Sequence, residues 1–258
     1  MYKLTILLLL VAVNAHAQFP THTRPGEKDA MITTLANAKE DTFKVMMYRS
    51  LFYDYLTSKK EKRKYAEAMF TLSEKLNYKK GLAEAYNCLG QTDAHSLKHA
   101  GRIMDDYHMA RYYFEQLGDV RGVGGVLSNM AKTLYFRSGH GGALDTLMRA
   151  RQLLEGIGDT AYLPLVYYNI GSYYYRAHDY TKAIESYTAA RKIFKTSQVQ
   201  QGIAGCCWVM GLCYMKLEKY DDAIALAHAS IDAAHKTVCE KCVQLGEKLL
   251  RRAEKKKG

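Results

Sequence analysis

A self-similar pattern returns every 40 positions along this chain. Gly171, Ala183, Tyr187 and Ala190 reappear as Gly211, Ala223, Ala227 and Ser230, and one step earlier as Ala131, Ala143, Leu147 and Ala150. A further step back gives Gly90, Ile103, Tyr107 and Ala110, with one extra residue between the first two. A fixed period of this length marks stacked supersecondary units. Such units cannot bury their apolar faces alone, so the chain is expected to fold as an array with a shared core. An array of this kind presents a surface for holding another molecule.

The clearest unit runs from Tyr167 to Phe194. Tyr167, Ile170, Gly171 and Tyr174 fall on one helical face, with spacings of three, one and three. After a turn near His178 and Asp179, the positions Tyr180, Ala183, Tyr187 and Ala190 repeat the arrangement. Small residues at the crossing let two antiparallel helices approach, and aromatic rings fill the wedge beside them. The chain has only three prolines, Pro20, Pro25 and Pro164. That scarcity favours long helices, since an interior proline costs ~3 kcal/mol. Helical hairpins are expected at 41–77, 81–117, 121–157, 161–195 and 201–236, followed by a single helix from Cys239 to Lys257.

The order aromatic, Leu or Ile, small, aromatic, then Ala, aromatic, Ala resembles the tetratricopeptide repeat, whose usual period is about 34. The longer step is similar to an extended variant found in bacterial signalling proteins. The resemblance implies an all-α, right-handed α-solenoid over 41–236, with 18–40 as a polar segment and the start of the first helix, and 237–258 as a basic capping helix. Asp119 and Asp159, each just before a new helix, are expected caps. The words DTFKV (Asp41–Val45) and KKGLAEAYNCLG (Lys79–Gly90) also resemble the exported sensor regions of Bacteroidetes tetratricopeptide histidine kinases and their regulator relatives. Those relatives usually continue into a membrane helix and a kinase or DNA-binding region. The expectation is that this chain works alone or with a separately encoded partner.

The first residues suggest export. Lys3, the apolar run Leu4–Val13, then Ala15, His16 and Ala17 have the order of a signal peptide cut after Ala17, leaving a periplasmic or secreted chain. The ten residues of this run, at ~1.5 Å each, reach only about half of a ~30 Å hydrocarbon layer. Removing Lys3 leaves 36 basic against 26 acidic residues, a net charge of +10. Part of this excess is Arg251, Arg252, Lys255, Lys256 and Lys257, read as a solvated helix because Glu247 and Glu254 interrupt it. Export makes nucleic acid the least expected partner. Peripheral association with a membrane complex stays open.

The resemblance implies that the first helix of each hairpin lines a concave face. It selects Asn87, Gln91 and His95 from the second repeat, and Asn129, Lys132 and Tyr135 from the third. Tyr168, Asn169, Ser172 and Arg176 follow from the fourth, and Trp208, Leu212 and Lys216 from the fifth. Asparagine amides donate and accept, so they can clamp an extended peptide backbone, or else bridge neighbouring helices. Lysine and arginine add affinity for carboxylates. The expected partner is therefore a peptide or protein segment.

Other clusters are weaker. Asp93, His95, His99, Arg102, Asp105, Asp106 and His108 gather polar groups around one turn without a fixed ligand spacing. Gly139–Gly142 fills a turn and lacks the Lys-Ser/Thr that a phosphate loop needs. Six cysteines are present, five after residue 200, mostly at apolar helical positions that suit free thiols as small hydrophobes. Cys239 and Cys242 form a CxxC read as packing, and a pairing of Cys206 with Cys242 across helices is left open. No catalytic constellation, cofactor loop or metal set is complete, so the chain is read as a non-enzyme.

Overall fold

The computed structural model describes residues 27–54, 57–92, 100–138, 142–237 and 239–258. The expected leader at 1–17 lies outside the described residues. So do Asp93, His95, His99 and the Gly139–Gly141 stretch.

Among the described residues the chain is helical and contains no strand. The helices are α1 (Glu27–Asn37), α2 (Thr42–Tyr53), α3 (Lys59–Lys75), α4 (Lys79–Thr92), α5 (Ala100–Gln116) and α6 (Val120–Ser138). They continue as α7 (Ala143–Gly156), α8 (Leu163–Arg176), α9 (Tyr180–Thr196), α10 (Gln200–Lys216), α11 (Tyr220–His235) and α12 (Glu240–Lys257). None of those described is long and apolar enough to cross a membrane. The chain divides into two compact units, residues 1–119 and 120–258. In the first, each helix packs on the next, and α2 also meets α4. In the second, consecutive helices pack, α6 also meets α8, and α10 also meets α12. Leading helices of successive hairpins therefore lie side by side within each unit, which is the stacking of an α-solenoid.

The recurring positions form the joints. Ala183, Tyr187, Ala190, Ala223, Ala227 and Ser230 are all buried, as are Ala143, Leu147, Ala150, Ile103, Tyr107 and Ala110. A Cβ built on Gly171 would stand 2.7 Å from the Tyr187 ring, and one on Gly90 would stand 2.6 Å from Tyr107. Glycine leaves room here for an aromatic ring to rest against the backbone itself. In the fifth repeat the aromatic is replaced by Ala227, and the space is filled differently. Leu249 of α12 comes to 2.5 Å from a Cβ placed on Gly211. α12 thus occupies the place of a further leading helix, with Leu249 and Ala253 buried and its lysines outward.

The connections repeat as faithfully as the joints. Asn77, Gly118, Gly158 and Gln198 each adopt a left-handed backbone where a second helix ends, with φ of 52°, 64°, 60° and 55°. His178 and Glu218 do so at the turns inside their hairpins. The residue after each closes the helix, as in Asp119 N–H to Phe114 O at 2.9 Å and Val199 N–H to Phe194 O at 2.9 Å. This bond satisfies a carbonyl that the helix end leaves open. Asp159 acts as the expected cap. Its Oδ1 accepts from the N–H groups of Ala161 at 2.9 Å and Tyr162 at 2.5 Å, and its Oδ2 lies 2.5 Å from Arg121 Nε.

The cysteines depart from expectation. Cys239 and Cys242 are joined in a disulfide, so the packing account of the CxxC is corrected. The open pairing of Cys206 with Cys242 is excluded by the same bond, and Cys206 is a buried free thiol. Spacing alone did not distinguish a three-residue step along one helical turn from a contact across helices.

Candidate functional site

The second unit contains a cleft of about 200 Å³ between α6 and α8, floored by Ala131, Ala143 and Leu147. Its walls carry Lys132, Tyr135, Tyr168, Asn169, Ser172 and Arg176, all expected from the sequence, together with Tyr173. The helical repeat explains the grouping. On α8, residues 169, 172, 173 and 176 follow the three-and-four spacing that defines one face, and 132 and 135 are one turn apart on α6.

The floor is made by the packing residues. The small Ala131 and Ala143 leave room, and Pro164 in the first turn of α8 presets its direction. The walls are stiffened by aromatic contacts. Tyr135 meets Tyr173 edge to face at 5.8 Å between centroids, and the Arg176 guanidinium lies 5.1 Å from the Tyr135 ring centre. Tyr168 leans on Tyr187 at 5.3 Å, and the Tyr187 hydroxyl donates to Ser172 Oγ at 3.1 Å. Ser172 in turn donates to the Tyr168 carbonyl at 3.0 Å. The cleft wall is therefore linked to the buried joint at Gly171. Burial first, and the nearby Cys206 second, push the Tyr168 phenol up to about 12, so it is neutral at ordinary pH.

Two cations stand at the rim. Lys132 is reached by solvent, yet protein atoms crowd it inside the concavity. That desolvation first, and the Arg176 charge second, hold its ammonium below the ordinary lysine value. None of the ten residues lining the cleft is acidic. The arrangement suits an anionic group, above all a carboxylate, whose charge would relieve the strain between the two cations.

The remaining selected residues are placed differently. Asn169 uses its amide to donate to Ser128 Oγ at 2.8 Å, which ties α8 to α6. The bridging alternative for asparagine thus applies here, with the carbonyl side of the amide left over. Asn129 is half-buried on α6 and is not among the residues that line the cleft. Trp208, like Tyr168 and Tyr174, packs against the core cluster that contains Tyr187 and Met210. Leu212 is half-buried and Lys216 exposed, and neither lines the cleft. In the first unit Asn87 is buried, and Gln91 donates to the Tyr53 hydroxyl at 2.9 Å. His95 lies outside the described residues. Arg102, Asp105 and His108 sit exposed on α5. Sequence reasoning missed Tyr173 and Ser128, although 173 lies four residues beyond 169, and 128 four before 132.

Comparison with known proteins follows this geometry. Residues 164–197 match the tetratricopeptide repeat family model. No curated protein sequence matches the chain. A Rap protein complexed with Competence and Sporulation Factor has a similar structure, with a TM-score of 0.64 at 20% identity, over 81% of this chain and 58% of that one. A Signal Transduction ATPase with Numerous Domains protein carrying a tetratricopeptide repeat sensor, from Pyrococcus horikoshii, gives 0.65 at 17% identity over 91% of this chain and 37% of that one. BtubC from P. vanneervenii gives 0.62 at 14% identity, over 78% and 91% respectively. This chain therefore spans less than two thirds of the first two proteins, and at such identities the likeness is one of fold. The chain carries a tetratricopeptide repeat at 164–197 within an all-α fold of stacked hairpins, the α-solenoid architecture of its structural neighbours.

Proposed function

We propose that this protein is an exported scaffold that binds an acidic peptide or protein segment in the cleft between α6 and α8. The observation that carries the reading is the pairing of Lys132 and Arg176 above an aromatic wall with no carboxylate among the lining residues. Tyr135, Tyr168 and Tyr173 supply apolar area at little entropic cost, and the cations supply attraction. The mechanism is stoichiometric binding by a preformed surface. Tetratricopeptide-type folds commonly hold other proteins, and the Rap neighbour was solved with a factor bound. Export rests on the leader-like order of Lys3, Leu4–Val13 and Ala15–Ala17. Its test is the mature N-terminus: Gln18 in the envelope fraction supports it, and an intact Met1 there overturns it.

The binding test places a photo-crosslinking residue at Tyr173 in the full chain and a control at Glu185, which is exposed on α9. A discrete protein captured from Tyr173 and lost with Lys132→Glu and Arg176→Glu supports the reading. Equal capture from both positions, or capture insensitive to the charge reversals, contradicts it. The likeness of Asp41–Val45 and Lys79–Gly90 to exported sensor regions favours a second reading, in which occupancy of the same cleft is relayed to a separately encoded membrane kinase or complex. Co-purification with such a membrane protein, dependent on Lys132 and Arg176, separates this use from a plain scaffold.

A further inference from the structure

We propose that Cys239 and Cys242 form a thiol–disulfide exchange site, which the chain uses independently of the cleft. The pair joins the residue that opens α12 to the third residue of its first turn, with Cα atoms 5.3 Å apart. Closing a loop with a sequence separation of three constrains the unfolded chain far less than a long loop would. The bond ties one turn to itself and joins no two helices, so cross-linking the fold is a poor account of it.

Its setting differs from that of every other cysteine. Cys88, Cys206, Cys207 and Cys213 are free and buried. Burial pushes the thiols of Cys206 and Cys213 up to about 12 and that of Cys88 further up, which removes them as nucleophiles. Cys239 and Cys242 are both partly exposed. They are also unlike each other. Cys242 packs against Ala204, Ala233 and Ala234, whereas Cys239 stands before the helix, held by its N–H donating to Thr237 Oγ1 at 3.2 Å. A thiolate at a helix start is favoured by the free N–H groups there, and Lys236 and Lys241 are exposed close by in sequence.

The partner is a dithiol, or two small thiols. A partner thiolate attacks Cys239 Sγ, the Cys239–Cys242 bond breaks, and Cys242 leaves as a thiolate that takes a proton from water. A second partner thiolate then attacks the partner sulfur of the mixed disulfide and releases Cys239, which is protonated in turn. The pair gains two electrons and two protons, and the partner thiols end as a disulfide. Run backwards, the same steps deliver the disulfide to a reduced partner.

The test uses the native full chain equilibrated in mixtures of reduced and oxidised glutathione, followed by acid quenching, alkylation and mass mapping. The expected result is that two thiols, Cys239 and Cys242, move between oxidised and reduced forms as the ratio changes, while the other four stay unchanged. A pair that stays oxidised at every ratio, or reduced at every ratio, overturns the proposal. Single variants assign the attacked sulfur. Cys242→Ser should accumulate the glutathione adduct on Cys239 faster than Cys239→Ser does on Cys242, by about tenfold or more. Equal or reversed rates would overturn that assignment.

Discussion

The second and fourth repeats share one joint and differ on the face beside it. In each, a glycine of the leading helix receives a tyrosine ring of the second helix, Gly90 with Tyr107 and Gly171 with Tyr187. Beside the joint the two diverge. Asn87 is buried and Gln91 is engaged by Tyr53, so that face of α4 is used for internal packing. The matching face of α8 presents Asn169, Ser172, Tyr173 and Arg176 to a cleft. The same architectural solution can therefore be closed in one place and open in another. The difference lies in whether a neighbouring side chain occupies the space, as Tyr53 does beside α4.

The largest expected effect tests whether the joints are equivalent. Tyr107→Ala and Tyr187→Ala should each destabilise the fold by about 3–5 kcal/mol, as truncation of a fully buried aromatic does. Denaturant midpoints measure this, and a large loss at only one of them would break the comparison. Next come the glycines. Gly90→Ala and Gly171→Ala gain about 1 kcal/mol of helix propensity but overpack by about 1–3 kcal/mol, so the net change is neutral to destabilising. Gly101→Ala, with nothing near its Cβ, should instead stabilise by up to about 1 kcal/mol. Opposite signs in thermal unfolding would sharpen the claim that ring contact, rather than helix position, keeps these residues small.

The helix ends allow a finer contrast. The second repeat ends on Gly118 and the fourth on Gln198, both left-handed. Gln198→Gly should stabilise by roughly 1 kcal/mol, since a side chain is disfavoured in that conformation, whereas Gly118→Gln should cost a similar amount. The smallest effect concerns helix starts. Glu61 of α3 is held down to about 2, first by the Ser58 hydroxyl, then by the Ser58 backbone, then by Lys28. A depressed carboxylate contributes stability that is complete above its ordinary value of 4.5 and is lost as pH falls through about 2. Glu61→Gln should therefore lower stability slightly at neutral pH and flatten its decline between those values. An unchanged acid limb in pH-dependent denaturation would show that the reciprocal hydrogen bonds of Ser58 and Glu61 at the start of α3 are without energetic weight.

The array was readable because packing repeats. Small residues at 131, 171 and 211 recur on one 40-residue period, with Gly90 one residue off it, and stacked hairpins that cross closely account for them. The cleft was half readable, since periodicity locates a face but not what fills the space before it. Gln91 and Ser172 stand at equivalent positions one residue past the joint glycine, and only the contacts of Gln91 with Tyr53 and of Ser172 with Tyr187 show how each is used. The filling of Gly211 by Leu249 was hidden because the compensating residue lies beyond the repeats. The left-handed turns at Gln198 and Glu218 were hidden because neither side chain signals that conformation. The disulfide was hidden because the CxxC falls in a helical pattern with no strand beside it, where the spacing reads as packing.

The proposed binding of carboxylate-bearing segments in the α6–α8 cleft is tested by selection from a random peptide library on the full chain, with a folded Lys132→Ala, Arg176→Ala double variant as control. Enrichment of Asp- and Glu-rich peptides that lose about tenfold or more in affinity for the variant is the predicted result. Peptides enriched without acidic character, peptides bound equally by both chains, or no enrichment at all would contradict it.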